Sequence, residues 1–227
     1  MSAGLTSMRP SVTLKLATSL DGRIALASGQ SKWITGEQAR AEVHRLRAAH
    51  DAVLVGSQTI LLDDPELTAR PDPRPQQQPL RILADSRGRV SPAARVFSTL
   101  SLGPVAVATL KTTRADHWPV QTGLEIWRLP AGEGGSVCPR ELLAAAARAG
   151  VSALMLEGGG QIAAAFMRLG LVDRIEWFRA PVILGADAAP AIGAMSLDAL
   201  GAAPRYARTS TRELGPDLWE RYERIGA

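Results

Sequence analysis

A single cysteine, Cys138, stands in the 227 residues, which excludes an intramolecular disulfide and any cysteine-rich zinc site. Histidine is nearly as scarce. His44, His50 and His117 fall on no metal-ligand spacing, so no metal is expected. Lysine occurs only as Lys15, Lys32 and Lys111 among 26 basic residues. No apolar run approaches the about 18 residues that a membrane helix needs. No charged-then-apolar leader opens the chain, so the expected class is a soluble, cytoplasmic protein. The net charge of +4 would suit nucleic acid, but the arginines are scattered and do not interleave with aromatics. Neither nucleic acid nor membrane is the expected partner; an anionic small molecule explains the balance equally well.

What is present is core-forming material, 46% hydrophobic, in alternating strand and helix patterns. Residues 1–10 read as a disordered lead-in and 11–227 as one domain. Ser11 to Thr18 alternates, with Val12, Leu14 and Leu16 toward a core and Thr13, Lys15 and Ala17 on the other face. Asp21-Gly22 marks a turn. Thr35 and Gln38 form a capping box that opens a helix through about His50. Further strands are read at 51–56, 80–85, 104–109, 124–129, 151–156 and 172–181, with helices at 57–62, 139–149 and 161–169. A terminal antiparallel pair spans 204–211 and 218–225. The expected architecture is an α/β sandwich, a largely parallel sheet with antiparallel C-terminal strands.

The densest signal is Leu154-Met-Leu-Glu-Gly-Gly-Gly-Gln-Ile to Met167. An apolar strand runs into three glycines and an alanine-rich helix closed by Gly170. Bare backbone N–H groups at a helix N-terminus suit a phosphate, although a tight turn that packs a helix on a sheet would look the same. The pattern is neither G-x-G-x-x-G nor a P-loop. Other residues stand equally open. Lys15 is an edge-strand guard or a cleft residue. Arg47, on a helix face with Arg40 and His44, is solvated or reaches an anion. Trp33 is a core anchor or a ligand platform, and Asp63 an ordinary turn residue or a ligand-edge carboxylate.

Leu14-Lys-Leu-Ala-Thr-Ser-Leu-Asp-Gly-Arg23, Gly29-Gln-Ser-Lys-Trp-Ile-Thr35 and Val55-Gly-Ser-Gln-Thr-Ile-Leu-Leu-Asp-Asp-Pro-Glu-Leu-Thr68 recur in one order with Arg81 to Ser86, Leu156 to Gly160, Leu171 to Arg174 and Ala180 to Gly185. Together they resemble the reductase domain of the riboflavin-biosynthesis deaminase-reductase family. The resemblance covers roughly residues 11–225 and implies a dihydrofolate-reductase-like three-layer sandwich. The zinc deaminase motifs of that family, His-x-Glu and Pro-Cys-x-x-Cys, are absent from this sequence.

The resemblance implies NADPH-dependent reduction of 5-amino-6-(5-phosphoribosylamino)uracil to the ribitylamino phosphate by a homodimer. Lys15 and Glu157 match positions at the reaction centre, and Asp63 is the third expected catalytic residue. Lys15 would assist ring opening or protonate the departing ring oxygen, Glu157 would hold the substrate, and Asp63 would share in the proton transfer. Ser31, Arg47, Leu67 and Arg70, with Glu157, match substrate contacts. Ala17, Trp33, Thr59, Asp63, Ser86 and the run Gly159, Gly160, Gln161, Ile162, Ala163, Ala164 and Ala165 match cofactor contacts. The alternative is a related reductase of another phosphorylated pyrimidine, including the non-deaminated precursor, or of a pteridine.

Overall fold

The computed structural model describes residues 9–226. Most of the expected lead-in, residues 1–8, lies outside them. In chain order the elements are β1 (Ser11–Thr18), β2 (Arg23–Ala25), α1 (Glu37–Ala48), β3 (Ala52–Gly56), α2 (Ser57–Asp63), β4 (Leu80–Ala84), α3 (Arg95–Ser98), β5 (Val105–Leu110) and β6 (Leu124–Leu129). They continue with α4 (Pro139–Arg148), β7 (Ala153–Glu157), α5 (Gly160–Arg168), β8 (Arg174–Arg179), β9 (Ala189–Pro190), β10 (Tyr206–Leu214) and β11 (Asp217–Arg224). One nine-stranded sheet runs β10-β11-β8-β1-β7-β3-β4-β5-β6. From β8 to β6 every pairing is parallel, and β11 and β10 join antiparallel.

Parallel strands covered on both faces need continuous apolar runs. Val53, Leu54, Val55, Leu83, Val107 and Leu156 meet that need, each with no solvent exposure. Leu142 and Leu143 of α4 and Phe166 of α5 pack one face against Val12, Leu14, Leu54 and Leu156. The opposite face is covered by Ala39, Val43 and Leu46 of α1, over Met155 and Phe178, and by Ile60, Val96 and Phe97 farther along. These layers form the expected α/β sandwich. β1 lies between β7 and β8, in the interior of the sheet. Lys15 is therefore no edge-strand guard.

The start of α1 departs from the capping-box expectation. Its N-cap is Gly36, and no side chain caps it locally. Instead the Gly36 N–H donates to Asp217 Oδ2 at 2.6 Å, while the Arg40 guanidinium donates to the Thr35 carbonyl at 2.7 Å. A buried carboxylate from the other end of the chain thus takes the N–H of the N-cap residue itself, and the helix starts one residue later than a Thr35 cap would place it. The short α3 and the β2–β9 pair, with too few residues to show a period, carried no sequence signal.

Candidate active site

A cavity of about 1310 Å³ opens at the carboxyl ends of β1, β3, β4 and β7, where open parallel sheets hold their ligands. A small-ligand pocket spans roughly 300–1,000 Å³, so this one has room for two molecules. Most of the residues singled out in the sequence meet here: Lys15, Ala17, Ser31, Trp33, Arg47, Thr59, Asp63, Leu67, Arg70, Ser86 and Glu157 all border it.

The floor is a charge cluster. β1 and β7 pair in parallel with Lys15 opposite Glu157, which puts both side chains on the α1 face. Arg47 crosses from α1 and donates Nε to Glu157 Oε1 at 2.5 Å and Nη2 to Oε2 at 2.9 Å. Burial alone would raise the Glu157 carboxyl, but Arg47, with help from Lys15, brings it down to about 2. Glu157 therefore stays ionised near neutrality. The Lys15 ammonium is pushed down by burial, held up by Glu157, and pushed down again by Arg47. His44, one turn before Arg47, is brought down to about 4 by burial and by the Arg47 and Arg70 charges, which leaves a neutral imidazole in the same wall.

The glycine turn forms one side. Gly158 and Gly159 adopt φ of 73° and 63°, a left-handed conformation open to glycine. A Cβ at Gly160 would lie 2.5 Å from the Pro190 carbonyl oxygen, and one at Gly158 would lie 2.6 Å from Thr59 Oγ1. The Gly193 N–H donates to the Gly160 carbonyl at 2.8 Å, so the loop after β9 closes this side. Gly159, Gly160, Gln161, Ile162 and Ala165 face the cavity. Ala163 and Ala164 do not; they are 1% and 0% exposed and turn toward the core. A helical run cannot direct seven consecutive residues to one side, so the implied loop contact narrows to the other five.

Farther around, Ser31 donates its hydroxyl to Asp63 Oδ1 at 2.9 Å, joining the Gly29–Thr35 loop to the end of α2. Trp33 is 71% exposed, with the Arg40 guanidinium 4.5 Å from its ring centroid; it is no core anchor. Ser86 Oγ accepts the Val137 N–H at 2.8 Å and brings the segment before α4 to the rim. Arg70 donates to Glu66 Oε2 at 3.0 Å and Thr68 Oγ1 at 2.6 Å. Leu67 borders the cavity, but its side chain is 2% exposed and packs with Val55 and Ile60. His44 and the loop after β9 were missed as wall residues. The i, i+3 spacing of His44 and Arg47 was a signal for the first; nothing local marks the second.

Residues 10–219 match the model of the RibD C-terminal domain family. The chain belongs to that family. Among similar proteins is the riboflavin biosynthesis protein RibD of Escherichia coli, 36% identical over 92% of this chain and 58% of its own length. RibD of Mycobacterium tuberculosis is 36% identical over 92% of this chain and 53% of its own. The chain thus spans little more than half the length of these relatives. The RibD C-terminal domain also accounts for the architecture, which is dihydrofolate-reductase-like. The structure of Acinetobacter baumannii RibD superposes with a TM-score of 0.81 at 28% identity, covering 97% of this chain and 59% of that one. A Thermotoga maritima protein described as a diaminohydroxyphosphoribosylaminopyrimidine deaminase/5-amino-6-(5-phosphoribosylamino)uracil reductase superposes with 0.79 at 26% identity, covering 96% and 57%. The Saccharomyces riboflavin biosynthesis reductase Rib7, at 19% identity and a TM-score of 0.76, shares the fold over 99% of this chain and 93% of its own.

Proposed function

We propose that this chain reduces the ribosyl group of 5-amino-6-(5-phosphoribosylamino)uracil to the ribitylamino product with NADPH, as a cytoplasmic homodimer. The observation that carries the reading is the Lys15–Glu157–Arg47 cluster on the floor of a cavity large enough for two ligands. The description of the Thermotoga maritima neighbour, which includes a 5-amino-6-(5-phosphoribosylamino)uracil reductase, supports the reaction class. The match lies in the part of that neighbour and of the RibD relatives that this chain spans, and the deaminase motifs are absent from its sequence.

The glycine turn fits the cofactor. Its backbone is bare beside the α5 N-terminus, an arrangement that receives phosphate oxygens. Gly159, Gly160, Gln161, Ile162 and Ala165 would hold the dinucleotide with Ala17, Trp33, Thr59, Asp63 and Ser86 around it. When bound, the cofactor supplies a hydride.

The residues supply the rest. As the bond between ribosyl carbon 1 and the ring oxygen breaks, the Lys15 ammonium gives that oxygen a proton, and the carbon is left as an iminium ready for hydride. Burial makes Lys15 a stronger acid than free lysine, which suits proton donation. Glu157, kept ionised by Arg47, stabilises the iminium charge and donates nothing. Asp63, hydrogen-bonded to Ser31, shares in returning the proton. Arg70 and Ser31 meet the phosphate. Two Arg47 nitrogens are directed at Glu157, so this arginine serves the substrate chiefly through that carboxylate.

Steady-state NADPH oxidation with this substrate, and in parallel with its non-deaminated precursor, tests the reading. Turnover with the first is expected. Preference for the precursor would reverse the order of reduction and deamination, and binding of NADPH with no turnover of either would overturn the assignment.

A further inference from the structure

The segment from Glu66 to Arg70 has no helix or strand to hold it, yet it carries Arg70 to the cavity. Side chains hold its backbone instead. Arg81 Nη1 donates to the Glu66 carbonyl at 3.1 Å, and Arg47 Nη1 donates to the Thr68 carbonyl at 3.2 Å. The Arg70 N–H donates to His44 Nδ1 at 3.3 Å. Between them one amide serves both polar groups of a single residue: Gln78 Oε1 accepts the Ala69 N–H at 2.7 Å, and Gln78 Nε2 donates to the Ala69 carbonyl at 2.9 Å. This two-point contact does for Ala69 what a neighbouring strand would do.

Gln78 stands at the end of the proline-rich stretch 71–79 and is not a cavity residue. Two features fix it from below. Pro79 restricts the Gln78 backbone to extended conformations. Gly103 leaves the space it occupies: a Cβ there would lie 2.6 Å from Gln78 Cβ. The preceding glutamines, Gln76 and Gln77, are exposed; the third has a built position.

We propose that Gln78 is a positioning residue for the phosphate end of the substrate: by clasping Ala69 from outside the cavity, its amide sets the next residue, Arg70, where the phosphate binds. The inference rests on the proposed role of Arg70. It makes the proline-rich stretch a closed loop whose far end determines substrate affinity.

The test compares Gln78→Ala, Gln78→Met, Arg70→Ala and the Gln78→Ala/Arg70→Ala pair in the full chain. The readouts are KM and kcat for the phosphorylated pyrimidine, the inhibition constant of ribose 5-phosphate, and NADPH affinity. Losing the two bonds should raise KM and the ribose 5-phosphate constant about tenfold, with kcat changed less than about twofold and NADPH affinity unchanged. Met keeps the length but not the amide, so it should behave as Ala does. In the Arg70→Ala background, Gln78→Ala should add nothing further.

Restoration of wild-type KM by Met would show that Gln78 merely fills space and would overturn the proposal. An additive double variant, or an unchanged KM in Gln78→Ala beside a raised one in Arg70→Ala, would also overturn it while leaving Arg70 its role. An unchanged KM in Arg70→Ala would remove the Arg70 reading and the proposal with it.

Discussion

Arg47 and Glu157, 110 residues apart, meet through two charge-assisted hydrogen bonds of 2.5 and 2.9 Å. Both are largely shielded from solvent. The pair binds α1 to the end of β7 and settles the protonation of the floor, because the carboxylate that faces Lys15 is already committed as an anion. In the proposed reaction the proton therefore comes from Lys15, and the negative charge that stabilises the substrate cation comes from Glu157.

Replacing Lys15 with methionine keeps its length and removes the acid. General-acid catalysis contributes roughly 10²–10⁴-fold, so kcat should fall by that order while NADPH affinity, measured by titration, stays unchanged. Equal loss of cofactor binding would show that Lys15 serves the cavity's shape rather than the proton transfer.

Acid should destabilise the fold in two windows. The folded Glu157 carboxyl lies at about 2, below its ordinary 4.5. Its contribution is fully present above the ordinary value and is lost as pH falls toward the folded one. For this buried group the loss is on the order of 3 kcal/mol. The folded His44 imidazole lies at about 4, below its ordinary 6.5. Charging it therefore costs stability as pH falls from 6.5 toward 4, and His44 is the half-exposed, weaker contributor. Denaturant unfolding across pH should show a flattened upper window in His44→Gln and a flattened lower window in Glu157→Gln. Glu157→Gln should also lower stability at neutral pH, at or below the about 3–5 kcal/mol typical of a broken buried pair. Unaltered pH profiles would contradict this electrostatic account.

Gly160→Ala tests the glycine turn by sterics alone. The new Cβ would lie 2.5 Å from the Pro190 carbonyl oxygen and 3.1 Å from the Gly193 nitrogen, and backbone has little freedom to retreat. Overpacking of this kind costs about 1–3 kcal/mol. We expect a lower unfolding midpoint and weaker NADPH binding, with the ribose 5-phosphate inhibition constant unchanged. Unchanged NADPH affinity in a folded variant would argue that the turn only packs a helix on the sheet.

Much of this was legible along the chain. The run from Val151 through the glycines to Gly170 announces strand, turn and helix because burial, chain reversal and helix closure each leave a local mark. The alternation in β1 correctly put Lys15 on the face opposite Val12 and Leu14. Partners far apart in sequence left no such mark. Asp217 lies 181 positions from the Gly36 N–H it accepts, so the capping box was read at Thr35, where a local rule placed it. Glu157 was read beside its glycines, whereas its partner is on α1. Ala163 and Ala164 entered the cofactor run because the resemblance is linear and a helix is not.

In the proposed function, this cavity brings a hydride donor to the ribosyl carbon of a phosphorylated aminopyrimidine. The most direct measurement uses NADPH deuterated at nicotinamide carbon 4, the full chain and 5-amino-6-(5-phosphoribosylamino)uracil, with mass and NMR analysis of the product. Deuterium is expected at carbon 1 of a ribityl chain, with strong suppression of that label in the Lys15→Met variant. A chain that binds NADPH tightly yet leaves the substrate unlabelled and its ribosyl ring closed would contradict the proposed function.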